Sequence, residues 1–238
     1  VLISDATICA TVLFFIFFVL PILFNSTPTG NVALIKVEGI IMGGSSGSSF
    51  TSNIVSSQSI VNFIKQADEN PSIKAIVLEI NSPGGSAVAS DEIATAIKQS
   101  TKPTISLIRE VGASGGYWIA SATDHSVANR MSITGSIGVI SSYLEFGKLM
   151  EEYGVKYQRM VAGERKDLGT PFKTLTNEEE QILQNKLDMI HDYFIQAVAE
   201  NRNLSEEEVR TVATGEFYLG VEAYQMNLID QLGDINTV

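Results

Sequence analysis

The stretch AIVLEINSPGGSAVASDEIATAIKQSTKPTISLIREVGASGGYWIASA, Ala75 to Ala122, decides the fold. Ala75 to Ile80 is a short apolar run of buried-strand length, and it breaks at the turn NSPGG. Ser86 to Ser100 then places Val88, Ile93 and Ile97 on one side at helical spacing. Thr104 to Ile108 reads as the next strand. It leads into GASGG, Gly112 to Gly116, and a helix to about Ala122. Strand, glycine turn and helix thus occur twice in succession. That alternation predicts an α/β domain with a mostly parallel sheet and helices packed outside it.

Outward from this stretch the pattern continues. NVALIKV, Asn31 to Val37, alternates like a strand, and Ser59 to Glu69 carries Ile60, Phe63, Ile64 and Ala67 at helical spacing. Ser126 to Met131 and Ile137 to Ile140 are strand-like around the turn TGS. Glu145 to Tyr153 reads as a helix closed by Gly154, and Val155 to Val161 as a further strand before the loop AGERKDLGTPF. A long helix is expected from Thr176, with Glu179 completing a capping box, to about Asn201. Ser205 and Glu208 form a second box, with Gly215 ending that helix. GGSSGSSFTSN, Gly43 to Asn53, is a flexible loop without pattern.

Upstream, Ala6 to Phe24 (ATICATVLFFIFFVLPILF) is uncharged from end to end. At about 1.5 Å per residue a helix of this length just crosses a hydrocarbon layer of about 30 Å. The flank NSTPTGNVA offers no good small-x-small cleavage site, so an uncleaved anchor is expected rather than a signal peptide. The expected division is residues 1–30 as anchor and linker and 31–238 as one domain. The chain opens on Val1, so a few residues are expected to precede it. The flanks carry no Lys/Arg asymmetry that would orient the span.

The chain has 238 residues and a formal charge of -11, of which only Asp5 precedes Lys36. Such an acidic surface repels phosphate backbones and argues against nucleic-acid binding. Cys9 is the only cysteine and lies in the apolar run, so the domain has no disulfide and no thiolate metal site.

Two turns can do chemistry. In NSPGG, Pro83 fixes the chain while Gly84 and Gly85 bring bare backbone close to a ligand. The following helix aims its free N–H groups at the same point. In GASGG, Ser114 stands between small neighbours at a sharp turn into a helix, and the N–H of Gly115 can face a developing oxyanion. Either turn alone is a common strand-to-helix connection; two in successive units are a stronger signal.

A serine nucleophile needs a base. The sequence holds two histidines. His125 lies just past the helix after Ser114. His191, in LDMIHDYF, has a solvent-facing or boundary position by default, although the order Ser114, Asp, His191 is allowed for a triad. Most lysines sit on helix faces or strand ends. Lys166 differs, lying between Gly163 and Gly169 in a loop held by Pro171, and Lys173 is the next candidate. A free lysine has a pKa of about 10.4, so a lysine base demands surroundings that favour the neutral amine.

NSPGG, GASGGYWIASA, TGSIGVI and GERKDLGTPF, in this order, closely resemble the signal peptide peptidase A family of membrane-bound serine peptidases, in its short single-domain form. The resemblance runs from about Val32 to the end. It implies a ClpP/crotonase-like spiral of β-β-α units, Ser114 as nucleophile, Lys166 as general base and Ser136 as the hydroxyl that holds the lysine. Gly84, Gly85 and Gly115 would surround the oxyanion. It further implies released signal peptides and other membrane-associated peptides as substrates, and a homo-oligomeric ring. The implied location is the cell membrane, single-pass through residues 6–24, with the catalytic domain extracytoplasmic. No metal or cofactor is called for. Two rival readings remain: a crotonase-type acyl-CoA enzyme, which uses similar backbone donors, and a non-catalytic membrane scaffold in which the glycines only pack.

Overall fold

The computed structural model describes residues 30–44 and 54–238. The expected anchor Ala6 to Phe24 and most of the Gly43 to Asn53 loop lie outside these residues. Among the described residues no helix is long and apolar enough to cross a membrane.

In chain order the elements are β1 (Val32–Glu38), β2 (Ile40–Met42), β3 (Ile54–Ser56), α1 (Ser57–Glu69), β4 (Ala75–Ser82), α2 (Ala87–Lys98) and β5 (Thr104–Ala113). Then come α3 (Gly115–Ser121), β6 (His125–Ala128), β7 (Ile133–Gly135), α4 (Gly147–Glu152) and α5 (Asn177–Arg202). The chain closes with α6 (Glu206–Val212), β8 (Phe217–Leu219), α7 (Gly220–Gln225) and β9 (Gln231–Leu232). The main sheet runs β1-β4-β5-β6-β9 with every pair parallel, and β2 and β3 form a small parallel pair beside it. The α/β class and the mostly parallel sheet are therefore as expected.

The core explains the strand patterns. On β1 and β4, Ile35, Val37, Ile76, Leu78 and Ile80 are buried, and they pack with Ile60 and Ile64 of α1 and Ile93 and Ile97 of α2. Burying each such side chain contributes about 1.5–3 kcal/mol. Trp118 of α3 stacks on Phe194 of α5, with ring centroids 4.6 Å apart, which ties the long helix to the short one that follows Ser114. Thr176 and Ser205 cap α5 and α6 through the expected capping boxes.

β5 carries the feature that builds the site. Its first half pairs with β6, from Ile105 to Ile108, whereas Val111 to Ala113 pair with β7. Between Ile80/Ile108 and Ser82/Gly112 the register with β4 shifts, and the N–H of Val111 donates to Asn81 Oδ1 at 3.2 Å. The strand thus leaves one neighbour, takes another, and delivers Ser114 just past the C-terminal end of a central strand.

Two expected strands do not form. Ile137 to Ile140 joins no ladder, and Val155 to Val161 is irregular and exposed. The alternating pattern is present in both, but a strand also needs a free edge to pair with, and neither segment meets one within the described chain. β2, β3, β8 and β9 are too short to announce themselves in the sequence.

Candidate active site

Ser114 caps the N-terminus of α3 with φ 51° and ψ -122°, a conformation that costs a non-glycine residue about 1–3 kcal/mol. Its backbone is held on both sides: its N–H donates to the Gly135 carbonyl at 2.8 Å, and its carbonyl accepts from Trp118 at 2.9 Å. Its hydroxyl makes no capping bond to its own helix. The side chain is half-buried. The fold therefore holds this serine in a strained turn without spending its hydroxyl on structure.

The NSPGG turn lies directly against it. Ser82 Oγ donates to the Gly39 carbonyl at 2.6 Å and accepts the Gly84 N–H at 3.1 Å, while Ile41 donates to the Gly84 carbonyl at 2.9 Å. Gly84 has φ +103°, and a Cβ there would stand 2.7 Å from the Gly115 nitrogen and 2.9 Å from Ser114 Cβ. Gly85 bridges to Ile41, and a Cβ on Gly115 would collide with Ser90 Oγ. The two turns thus meet with backbone against backbone, and the first N–H groups of α3 have no intrahelical partner. Gly84→Ala is expected to lower stability by about 1–3 kcal/mol from the strained φ and the clash. It should also slow reaction of Ser114 with a serine-directed probe, read beside a thermal melt. Wild-type labelling in a folded variant would separate Gly84 from the site.

Ser136 follows Gly135 with φ 51°, its N–H donating to the Glu216 carbonyl at 2.8 Å. Its hydroxyl reaches only the Gly215 carbonyl, at a long 3.4 Å. Ser114 and Ser136 open into one pocket of about 530 Å³, with Pro83, Val139 and Ile140 among its walls. A further wall is one face of α5: Gln184, Leu187, Asp188 and His191.

His191 is the residue that sequence reasoning underrated. It is half-buried, and its Nε2–H donates to the Ile137 carbonyl at 3.2 Å, one residue beyond Ser136. A signal existed: Gln184, Leu187, Asp188 and His191 have the i, i+3, i+4, i+7 spacing of a single helix face. His125 is placed elsewhere. It pairs in register with Ile105, nine residues before Ser114 on β5, about 30 Å away at the rise of an extended strand. Its ring meets Gln231 Oε1 at 3.1 Å.

The lysines separate as well. Lys173 is bound to Glu179 at 2.7 Å and Asp167 at 3.4 Å, and these carboxylates, Glu179 foremost, raise its pKa. It is held protonated and is unsuited to act as a base. Asp167 is chelated by the Arg159 guanidinium at 2.7 and 2.9 Å, which holds its carboxyl well below the ordinary range. These pairs fasten the 163–170 loop to the first turn of α5. Lys166 itself is exposed and absent from the lining of the Ser114 pocket. Glu179 precedes the pocket-facing residues 184–191 by about 8 to 18 Å along the helix axis. The structure thus gathers Ser114, Ser136, Gly84, Gly85 and Gly115 in one place and leaves Lys166 outside it.

Fold and site together define an α/β domain with a mostly parallel sheet that presents a serine at a glycine-lined strand-to-helix turn. Residues 96–238 match the model of peptidase family S49. A Methanocaldococcus jannaschii protein provisionally named a protease is 33% identical over 175 residues, 73% of this chain and 56% of the relative. Protease 4 of Haemophilus influenzae is 32% identical over 208 residues, 86% of this chain and 33% of the relative. An Enterococcus faecium protein provisionally named signal peptide peptidase SppA is 32% identical over 205 residues, 85% of this chain and 60% of the relative. The chain belongs to peptidase family S49, the signal peptide peptidase A family. It spans between 33% and 60% of the length of these three relatives.

Proposed function

We propose that this chain is a membrane-anchored serine endopeptidase that degrades released signal peptides and other membrane-associated peptides. The observation that carries the reading is Ser114: a strained, backbone-anchored serine with an unspent hydroxyl, facing a pocket and abutting two bare glycine turns. The names of the relatives and the family support the same chemistry. In this reading the neutral Lys166 amine takes the Ser114 proton as the hydroxyl oxygen attacks a peptide carbonyl. Backbone N–H groups near Gly85 and Gly115 hold the oxyanion. The lysine then protonates the leaving amine, and water hydrolyses the acyl-enzyme. The strand–helix units correspond to a ClpP/crotonase-like spiral, residues 6–24 serve as the anchor, and the domain works outside the cytoplasm.

Because Lys166 lies outside the pocket, the dyad in this reading is completed by a second copy of the chain. The segment between the pocket and α5 supports this. Leu144 (73% exposed), Tyr153 (75%) and Met160 (92%) present apolar surface, and Val155 to Val161 has a strand pattern with no strand to join among the described residues. Such surface is expected at an interface between chains. A fluorophosphonate probe tests the proposal against the rivals. It should label wild type and not Ser114→Ala, whereas turnover of acyl-CoA thioesters without labelling would favour the crotonase-type reading.

Ser136 is proposed to orient the lysine. A hydroxyl can accept an N–H from the amine and brings no charge of its own. Its long bond to Gly215 leaves that hydroxyl available. Ser136→Ala should lower kcat about 10- to 100-fold, leave KM nearly unchanged and barely alter Tm. An unchanged kcat would return Ser136 to the role of a turn residue.

A further inference from the structure

We infer that Asp188 makes the pocket beside Ser114 a subsite for a lysine or arginine side chain of the substrate, an inference that rests on the peptidase reading above. Among the described residues, Asp188 contributes the one formally charged side chain to the lining of that pocket. It lines the pocket with Leu187 and His191, which are half-buried, and is itself exposed, at the solvent-facing rim of the pocket. Among the described residues it has no ion-pair partner. Its Oδ1 accepts the Gln184 side-chain amide at 2.7 Å, a neutral bond that orients the carboxylate and leaves its charge uncompensated. Asp192, one position past His191, is by contrast bound to Arg210 at 2.9 Å.

The rest of the pocket suits the stem of a basic side chain. Val139, Ile140, Leu187 and Pro83 supply apolar surface, against which the methylenes of lysine or arginine can lie while the charged head reaches the carboxylate. A purely aliphatic side chain would leave Asp188 without a counter-charge, and an acidic one would meet like charge in a chain already at -11. Signal peptides carry such residues in the positively charged segment that precedes their apolar run.

The test uses quenched fluorescent peptides identical except for lysine, norleucine or glutamate at each position flanking the scissile bond. With the full chain, lysine should exceed norleucine in kcat/KM by about 10- to 100-fold at one position, the range of a hydrogen bond to a charged group. In Asp188→Asn the lysine-to-norleucine ratio should fall towards one at that position, and in Asp188→Lys the preference should pass to glutamate. A second arm measures binding of the same peptides to the inert Ser114→Ala variant by fluorescence anisotropy, alone and combined with Asp188→Asn. A ratio that Asp188→Asn leaves unchanged in both arms, or a wild type indifferent to charge, overturns the subsite. Asp188-dependent binding without Ser114-dependent cleavage would instead overturn the peptidase reading and leave the subsite standing.

Discussion

Ser114→Ala is expected to lower peptide hydrolysis by about ten-thousand-fold or more, with Tm within about 2 °C of wild type. The size of the first effect follows from chemistry: without the hydroxyl no acyl-enzyme forms, and only binding and the backbone donors remain to assist water. The smallness of the second follows from the local structure. The Ser114 hydroxyl makes no capping bond, so its removal leaves every bond of the turn in place, including those to Gly135 and Trp118. The strain at φ 51° is the same for alanine as for serine. His125→Ala and His191→Ala serve as controls. His125 is remote and should retain full activity. His191 touches the segment after Ser136 through Ile137, so its loss should weaken activity without abolishing it. Abolition by His191→Ala in a folded protein would replace the lysine by a histidine base.

The parts of this molecule that were legible in its sequence are those whose signals are local. The turn around Ser114 could be read because small residues on both sides of a serine, between an apolar run and a helix, leave few other conformations. The capping boxes at Thr176 and Ser205 could be read because donor and acceptor lie three residues apart. What could not be read depends on distant partners. Val155 to Val161 alternates as a strand should, yet its pairing edge is absent from the described chain. β5 exchanges β6 for β7 through a register shift that no periodicity announces. His191 seemed a boundary residue because the buried apolar side chains of α5, Phe194, Ile195, Val198 and Ala199, all follow it. The first half of that helix runs past the core and becomes the wall of a pocket, a placement set by distant contacts such as Trp118 on Phe194 and His191 on the Ile137 carbonyl.

Lys166→Ala should abolish cleavage as fully as Ser114→Ala, and the two inactive variants should restore each other when co-expressed. The first expectation rests on the dyad: an unassisted serine hydroxyl is a weak nucleophile near neutral pH, and the other candidate lysine, Lys173, is held protonated by Glu179 and Asp167. The second rests on geometry. Lys166 is exposed and outside the pocket, its loop is fastened to the first turn of α5 through Asp167, Lys173 and Glu179, and the segment before it displays Leu144, Tyr153 and Met160 to solvent. If each site takes its serine from one chain and its lysine from the next, random mixing leaves both residues intact in about a quarter of the sites of a closed ring. Purification through two different tags selects the mixed assemblies, and their rate per chain should approach about a quarter of wild type. Mixed assemblies with no activity would place serine and lysine in the same chain, and the loop would then have to move to reach Ser114. A Lys166→Ala variant that cleaves at the wild-type rate would remove the lysine from the mechanism altogether and leave His191 as the base nearest the pocket.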